Sequence, residues 1–355
     1  MNKRSFQFLT NLIESISPSG YEEEAARIWQ EEARSFGAEI RRDTHGNSDA
    51  VINAGGAPRI MLSGHYDEIG FMISHIDKEG YLWIQPIGGW DPQIPQGHHV
   101  VIRGKAGHVH GVIGKRPIHL LKPDDRKKVT DLDELWVDIG AANQKAAEKL
   151  VSVGDPLVLA QGLSRLDRDL VAGRGFDNRA GAFTVLEAAR ILSKLKPQAE
   201  IHAVATVQEE IGLRGARTAA YGVDPHVGIA VDVTFSTDYP SMGDAVKRFG
   251  KIEVGKGVVI TRGPNINPKL FDLLVKTAEE QKIAYQICAE ARPTGTDANA
   301  IQVSRGGVAA GLVSIPNRYM HSPCEVVSLD DLVATSELMA HTCARINKKS
   351  DFVLF

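Results

Sequence analysis

Ile60-Met61-Leu62-Ser63-Gly64-His65-Tyr66-Asp67 decides the fold class. The run Ile60 to Ser63 is short and apolar and stops at Gly64-His65, the pattern of a strand buried on both faces with a polar residue at its tip. Sheets of the α/β class place their chemistry at such tips. Upstream, Ser19 to Gly37 predicts a helix: Ser19 and Glu22 have capping-box spacing, Ile28, Trp29, Ala33 and Phe36 form an apolar stripe, and Gly37 is a C-terminal stop. Downstream, from about Phe71 to Leu166, short alternating runs such as Gly80-Tyr81-Leu82-Trp83-Ile84, Val100-Val101-Ile102 and Gly111-Val112-Ile113-Gly114 lie between Gly, Pro and Asp turns. The α/β texture then returns near Gly173. Helices are predicted over Asn178 to Leu195, Phe271 to Gln281 and Leu329 to Ile346, and strands over Ile201 to Val207 and Val227 to Val231. The expected organisation is one α/β domain, residues 1–70 and 167–355, interrupted by a β-rich insertion over residues 71–166.

A chain of 355 residues, 43% hydrophobic and 24% charged, has the composition of a globular protein and is long enough to favour two domains over one. Its formal net charge of -3 and the lack of any long Lys/Arg run leave no electrostatic footprint for nucleic acid or an anionic membrane. Cys288, Cys324 and Cys343 are widely spaced, with no Cys-x-x-Cys, which argues against a disulfide framework and a thiolate zinc site and for a reducing cytoplasm. The basic start Met1 to Arg4 meets Asn11 and Glu14 before a signal-like apolar core develops, and no 18-residue apolar run follows.

Five polar groups end or adjoin the predicted elements: His65-Tyr66-Asp67, Phe176-Asp177-Asn178-Arg179, Gln208-Glu209-Glu210, Val231-Asp232-Val233 and Tyr319-Met320-His321-Ser322. Each alone has an ordinary structural reading. A His at a strand end is usually a polar cap, adjacent glutamates a solvated pair, and an Asp before a helix an N-cap. Together, two His and several carboxylates without Cys form a donor set suited to zinc, cobalt or manganese, provided that one sheet edge gathers them.

In order and spacing these motifs, with the flanking Gly64-His65-Tyr66-Asp67-Glu68-Ile69-Gly70, Gly175 to Gly181, Val207 to Ala216 and Arg318 to Ser322, resemble the tetrahedral aminopeptidases, the glutamyl-aminopeptidase-like family of cocatalytic metallopeptidases, some of whose members carry endoglucanase labels. The resemblance covers essentially the whole chain. It implies a mixed-sheet, three-layer α/β domain with an inserted barrel-like or PDZ-like module, and a metal-dependent aminopeptidase acting on peptides with two divalent ions, zinc or cobalt. His65 and Asp232 would hold one ion, Glu210 and His321 the other, and Asp177 would bridge them. Glu209 would be the general base. Asp67 would fix the His65 tautomer. A base beside a ligand in sequence requires the strand to end or bend there, and Gly212 is compatible with a bend.

Arg292, Thr296 and Asp297, in Arg292-Pro293-Thr294-Gly295-Thr296-Asp297-Ala298, resemble the family element near the substrate side-chain pocket. Arg292 is a candidate selector for acidic N-terminal residues, since a guanidinium pairs bidentately with a carboxylate. Its alternative is a solvated arginine, and for Thr296 and Asp297 a helix cap. Among His75, His98, His99, His108, His110 and His119 of the insertion, His108 and His110 share one strand face, but a His-x-His without further ligands leaves a metal mostly to water. The resemblance gives the insertion a role in subunit pairing, with dimers assembling into a tetrahedral dodecamer. Rival readings are a two-metal amidohydrolase on N-acyl substrates, a glycosidase, which needs carboxyl groups roughly 5 to 10 Å apart and no metal, and a non-catalytic scaffold.

Overall fold

The computed structural model describes residues 1–354. From the N-terminus, α1 (Lys3–Glu14) and α2 (Glu23–Arg34) precede β1 (Glu39–Arg42), β2 (Ser48–Ile52) and β3 (Arg59–His65). Six strands follow, β4 (Gly70–Ile76), β5 (Leu82–Ile87), β6 (His99–Gly104), β7 (Gly107–Gly114), β8 (Trp136–Asp138) and β9 (Pro156–Leu159), with α3 (Gln144–Leu150) between the last two. Next come β10 (Ser164–Arg165), β11 (Leu170–Gly173), α4 (Phe176–Leu195), β12 (Glu200–Thr206), α5 (Arg214–Val223), β13 (Val227–Phe235) and α6 (Gly243–Phe249). The chain continues through β14 (Val258–Arg262), α7 (Pro268–Gln281), β15 (Tyr285–Ala289), α8 (Asp297–Gln302), β16 (Ala309–Asn317), β17 (Glu325–Ser328) and α9 (Leu329–Arg345).

The main sheet is mixed, in the order β1-β2-β12-β3-β13-β16-β14-β15, and its middle strands β12, β3, β13 and β16 run parallel. That direction brings their C-terminal ends to one edge. Two neighbouring residues of β3 reveal the layering. Ser63 Oγ donates to Asp297 at the head of α8, 2.5 Å away, whereas a Cβ on Gly64 would come within 2.5 Å of the Gly181 carbonyl carbon in α4. Successive strand residues face opposite sides, so α8 and α4 cover opposite faces and the sheet is the middle of three layers. Gly64 permits the close approach of α4. Local chemistry agrees with these bounds: Asn2, Asn267 and Ser328 cap α1, α7 and α9 by accepting backbone N–H groups, and Pro268 opens α7.

Strands β4 to β9 close into an antiparallel barrel in the order β4-β5-β8-β7-β6-β9. The alternating runs of that stretch bury one side of each strand: Phe71, Ile73, Leu82, Ile84, Val100, Ile102, Val137 and Leu157 form a core separate from the one around the main sheet. The barrel meets the first turn of α2 through Arg103 with Glu23, and His108 Nε2 with Glu24 Oε1 at 2.9 Å. His108 is thus tied to a carboxylate outside the barrel, and the described residues contain no barrel group of clustered metal donors.

The capping box expected at Ser19 and Glu22 does not form. Helix α2 begins at Glu23, and Glu22 makes no side-chain cap bond. Ser19 Oγ donates instead to Asp67 Oδ2, 2.6 Å away, and Glu22 Oε1 accepts the N–H groups of Gly20 at 2.7 Å and Gln208 at 3.2 Å. Long-range partners outcompeted the local ones. Among the described residues no helix is long and apolar enough to cross a membrane.

Candidate metal centre

The tips of the parallel strands and the head of α4 bring together all the residues expected to carry chemistry. His65 ends β3, Asp232 lies near the end of β13, Glu209 and Glu210 follow β12, Asp177 opens α4, and His321 follows β16. His65 Nε2 lies 3.4 Å from Asp177 Oδ1, 3.7 Å from Glu209 Oε2 and 3.8 Å from Asp232 Oδ1. His321 Nε2 lies 3.2 Å from Asp177 Oδ2 and 3.5 Å from Glu210 Oε2. The two oxygens of Asp177 therefore face two different imidazoles.

Both imidazoles are held through the other nitrogen. His65 Nδ1 donates to the backbone carbonyl of Asp67 at 3.1 Å, with the Asp67 carboxylate 3.3 Å away. His321 Nδ1 donates to the carbonyl of Gly89 at 2.8 Å. A carbonyl only accepts, so each Nδ1 carries a proton and each Nε2 faces the cluster, the orientation in which Nε2 offers a lone pair to a metal once its own proton has left. Gly89 belongs to the loop after β5, so a barrel connection reaches the centre. Two sequence features were missed here, Gly89 and the buried Glu325, whose Oε2 and Oε1 accept the N–H groups of Asp177 and His321, each at 3.0 Å. A Glu heading the short apolar run Val326-Val327 was the only signal for the latter.

The turn after β12 separates the two glutamates as their different positions require. The strand ends at Thr206, and the reversal comes from Gln208, whose φ of 55° lies in the left-handed region, ahead of Gly212. Three successive amides then point at buried carboxylates: Gln208 N–H at Glu22, Glu209 N–H at Asp67 Oδ1 (3.1 Å) and Glu210 N–H at Asp67 Oδ2 (3.2 Å). Such a run of inward N–H groups is an anion-binding concavity. Asp67 thus does more than orient His65; it holds the backbone of the glutamate turn.

The electrostatics favour a cation. Burial, with Asp232, Asp297 and Glu210 nearby, pushes the Glu209 carboxyl up to about 10. Burial and Asp177 push Glu210 and Asp232 well above the usual carboxylate range. The Asp177 carboxyl stays below its ordinary value despite burial because His321 and His65 flank it, and His321 is raised to about 9, Asp177 outweighing burial. Crowded carboxylates resist ionising together, and a divalent ion lets all of them do so. Glu210 Oε1 is also buried without a hydrogen-bond partner. The donors are nitrogen and oxygen only; Cys324 is exposed and outside both donor groups. The residues fit hard or borderline divalent ions. Distance alone brings Glu209 as near to His65 as Asp232 is.

The model of the M42 glutamyl aminopeptidases matches residues 46–338. The chain belongs to this family. It is 39% identical to the lysyl aminopeptidase of Pyrococcus furiosus over 336 residues, 94% of this chain and 95% of that protein. The TET aminopeptidase of the marine sediment archaeon Thaumarchaeota archaeon SCGC AB-539-E09 superposes with a TM-score of 0.91 at 34% identity, covering 98% of each chain. The Pyrococcus horikoshii TET1 peptidase, which assembles into a tetrahedron or a large octahedral shell, superposes at 0.86 with 30% identity over 96% of this chain and 100% of that one. The protein is a peptidase, a metal-dependent aminopeptidase of the M42 family, and the mixed α/β fold with its barrel is the expected one.

Beside the centre this M42 chain has a cleft of about 670 Å3, into which Glu209, Glu210, Asp232 and His321 open along with Arg292, Thr296, Phe235 and Phe249. Arg292 is exposed and, among the described residues, makes no ion pair. Thr296 sits at the head of α8 without a side-chain cap bond, its hydroxyl 2.8 Å from that of Thr294. Asp297 departs from the expectation. Its carboxylate is buried behind the cleft, where Oδ2 accepts from Ser63 Oγ and Thr206 Oγ1 at 2.5 and 2.7 Å. The first turn of α8 directs Asp297 into the sheet while Thr296 stays on the cleft wall.

Proposed function

We propose that the chain removes single residues from the N-termini of peptides with a centre of two divalent ions, zinc or cobalt. One would be held by His65, Asp232 and Asp177, the other by Glu210, His321 and the same Asp177. The observation that carries this reading is the Asp177 carboxylate turned to His65 on one side and His321 on the other. When bound, such ions supply Lewis acidity, acidifying a shared water and polarising the scissile carbonyl.

This division leaves Glu209 outside both ligand sets. It is buried at the cleft edge, its backbone tied to Asp67, and once the ions' charge lets it ionise it is placed to accept a proton from water and pass it to the leaving amine. Asp67 supports the turn that aims it. The cleft beyond receives the side chain of the departing residue, with Arg292 and Thr296 on its wall.

The barrel, with its own core, is read as an inserted module for subunit pairing over residues 71–166, and the tetrahedron formed by the Pyrococcus horikoshii relative supports a homo-oligomer, which dimers would build as a dodecamer. Three unpaired cysteines support a cytoplasmic setting.

The deciding experiment is hydrolysis of matched free and N-acetylated peptides by metal-stripped protein reloaded with zinc or cobalt, with Glu209→Gln alongside. The expected result is stepwise N-terminal release that needs metal, a free amine and Glu209. Equal cleavage of acetylated peptides would replace this reading with a deacylase.

A further inference from the structure

We propose that Glu325 is a positioning residue that sets the spacing of Asp177 and His321 by clamping both backbones with one carboxylate. The inference rests on the two-ion reading above, in which these two residues share one ion and Asp177 also holds the other. Glu325 is 2% exposed and is the first residue of β17. Its Oε2 accepts the N–H of Asp177 and its Oε1 the N–H of His321, each at 3.0 Å.

Neither amide has a place in a regular ladder. Asp177 sits at a break in the head of α4, with φ -76° and ψ 104°. His321 lies in the left-handed region with φ 58°. Buried N–H groups in such positions need an acceptor, and a carboxylate makes a stronger one than a neutral group. Glu325 makes no ion pair within 4 Å among the described residues, so each of its oxygens is free for one of these amides.

The surrounding strands make the clamp stiff. Glu325 pairs with Gly173 in the β11–β17 register, and β11 leads within four residues to Asp177. On the other side an isolated bridge joins Val326 to Arg318, three residues before His321. The two side chains so held meet at 3.2 Å between Asp177 Oδ2 and His321 Nε2. Asp67 treats Glu209 and Glu210 in the same way, so two buried carboxylates suspend four of the six residues assigned to ligation and proton transfer.

The test compares wild type, Glu325→Gln and Glu325→Asp as full-length, metal-free proteins. Zinc is titrated in by calorimetry, and amide hydrogen exchange is followed at Asp177 and His321 without metal. In the Gln variant the oxygen can accept one amide, but its NH2 faces the other. The expected outcome is faster exchange at one or both amides, an affinity lowered roughly 10- to 100-fold for the zinc that both residues hold and lowered less for the zinc that Asp177 alone shares, and a fall in kcat with KM for a free-amine peptide preserved. The Asp variant, which keeps both acceptors on a shorter arm, should recover part of the lost affinity. Unchanged exchange with wild-type affinity for both ions overturns the proposal, as does equal weakening of both ions together with a lowered melting temperature, the mark of a merely structural role. Wild type that takes fewer than two zinc ions refutes the two-ion reading instead, and the exchange rates then still decide whether Glu325 clamps the two backbones.

Discussion

Asp67 Oδ1 accepts the backbone N–H of Glu209 at 3.1 Å. The side chain that follows the tip of β3 thereby fixes the turn that follows β12, and its other oxygen adds Glu210 N–H and Ser19 Oγ. Asp67→Asn turns one acceptor into a donor facing donors. An unsatisfied buried polar group costs about 1–3 kcal/mol, so the variant is expected to unfold at lower denaturant concentration when metal-free and, when loaded with metal, to lose kcat with KM little changed. Paired urea melts and steady-state kinetics check this; a wild-type midpoint would refute it.

Glu22 couples stability to pH. Burial, and then the nearby Asp67 charge, raises its carboxyl from 4.5 to about 7. The folded protein thus disfavours the ionised form: the contribution is fully present below pH 4.5 and is lost as pH rises through 7, with a size on the order of a few kcal/mol. Glu22→Gln keeps an oxygen for the Gly20 and Gln208 amides and cannot ionise. Its stability relative to wild type is expected to rise between pH 5 and pH 8, measured as the difference between the two proteins by chemical denaturation at each pH. A pH-independent difference would count against the assignment.

Gly64→Ala tests the layer contact. The added Cβ would meet the backbone of Gly181 at 2.5 Å, and neither β3 nor α4 can yield without disturbing the tip that carries His65. Overpacking of this kind costs typically 1–3 kcal/mol and more when backbone must move. The variant is expected to lose stability and zinc affinity together, whereas Gly212→Ala, where no atom lies within 4 Å of the new Cβ although φ is 122°, should lose less stability. Thermal melts of the two variants rank them.

Arg292 stands on the cleft wall without a carboxylate partner among the described residues, which leaves its charge available to a substrate. Arg292→Glu is expected to shift the ratio of kcat/KM for N-terminal Glu over N-terminal Lys substrates downward by roughly tenfold or more, an exposed to partly buried charge pair contributing about 1 kcal/mol at each reversal. An unchanged ratio would return Arg292 to the solvated surface.

Much of the architecture was open to reading because its causes are local. Ile60 to Ser63 is apolar throughout since β3 is covered on both faces, and the alternation of residues 80 to 114 reflects a barrel wall with one side inward. The donor types were readable too, since each ends an apolar run. Local signals failed where a distant partner won: Ser19 and Glu22 read as a capping box until Asp67 and Gln208 claimed their side chains, and Asp297 read as part of the pocket until Ser63 and Thr206 drew it inward.

The sequence by itself determined the α/β class, the β-rich interruption and the His and carboxylate residues at element ends, because periodicity and chain punctuation act over a few neighbours. Only the tertiary structure decided that those residues converge, that Gly89 holds His321 across 232 positions and that Glu325 holds Asp177 across 148. Parallel strand order carries such groups to one edge, and which carboxylate meets which amide there depends on packing geometry that no local pattern encodes.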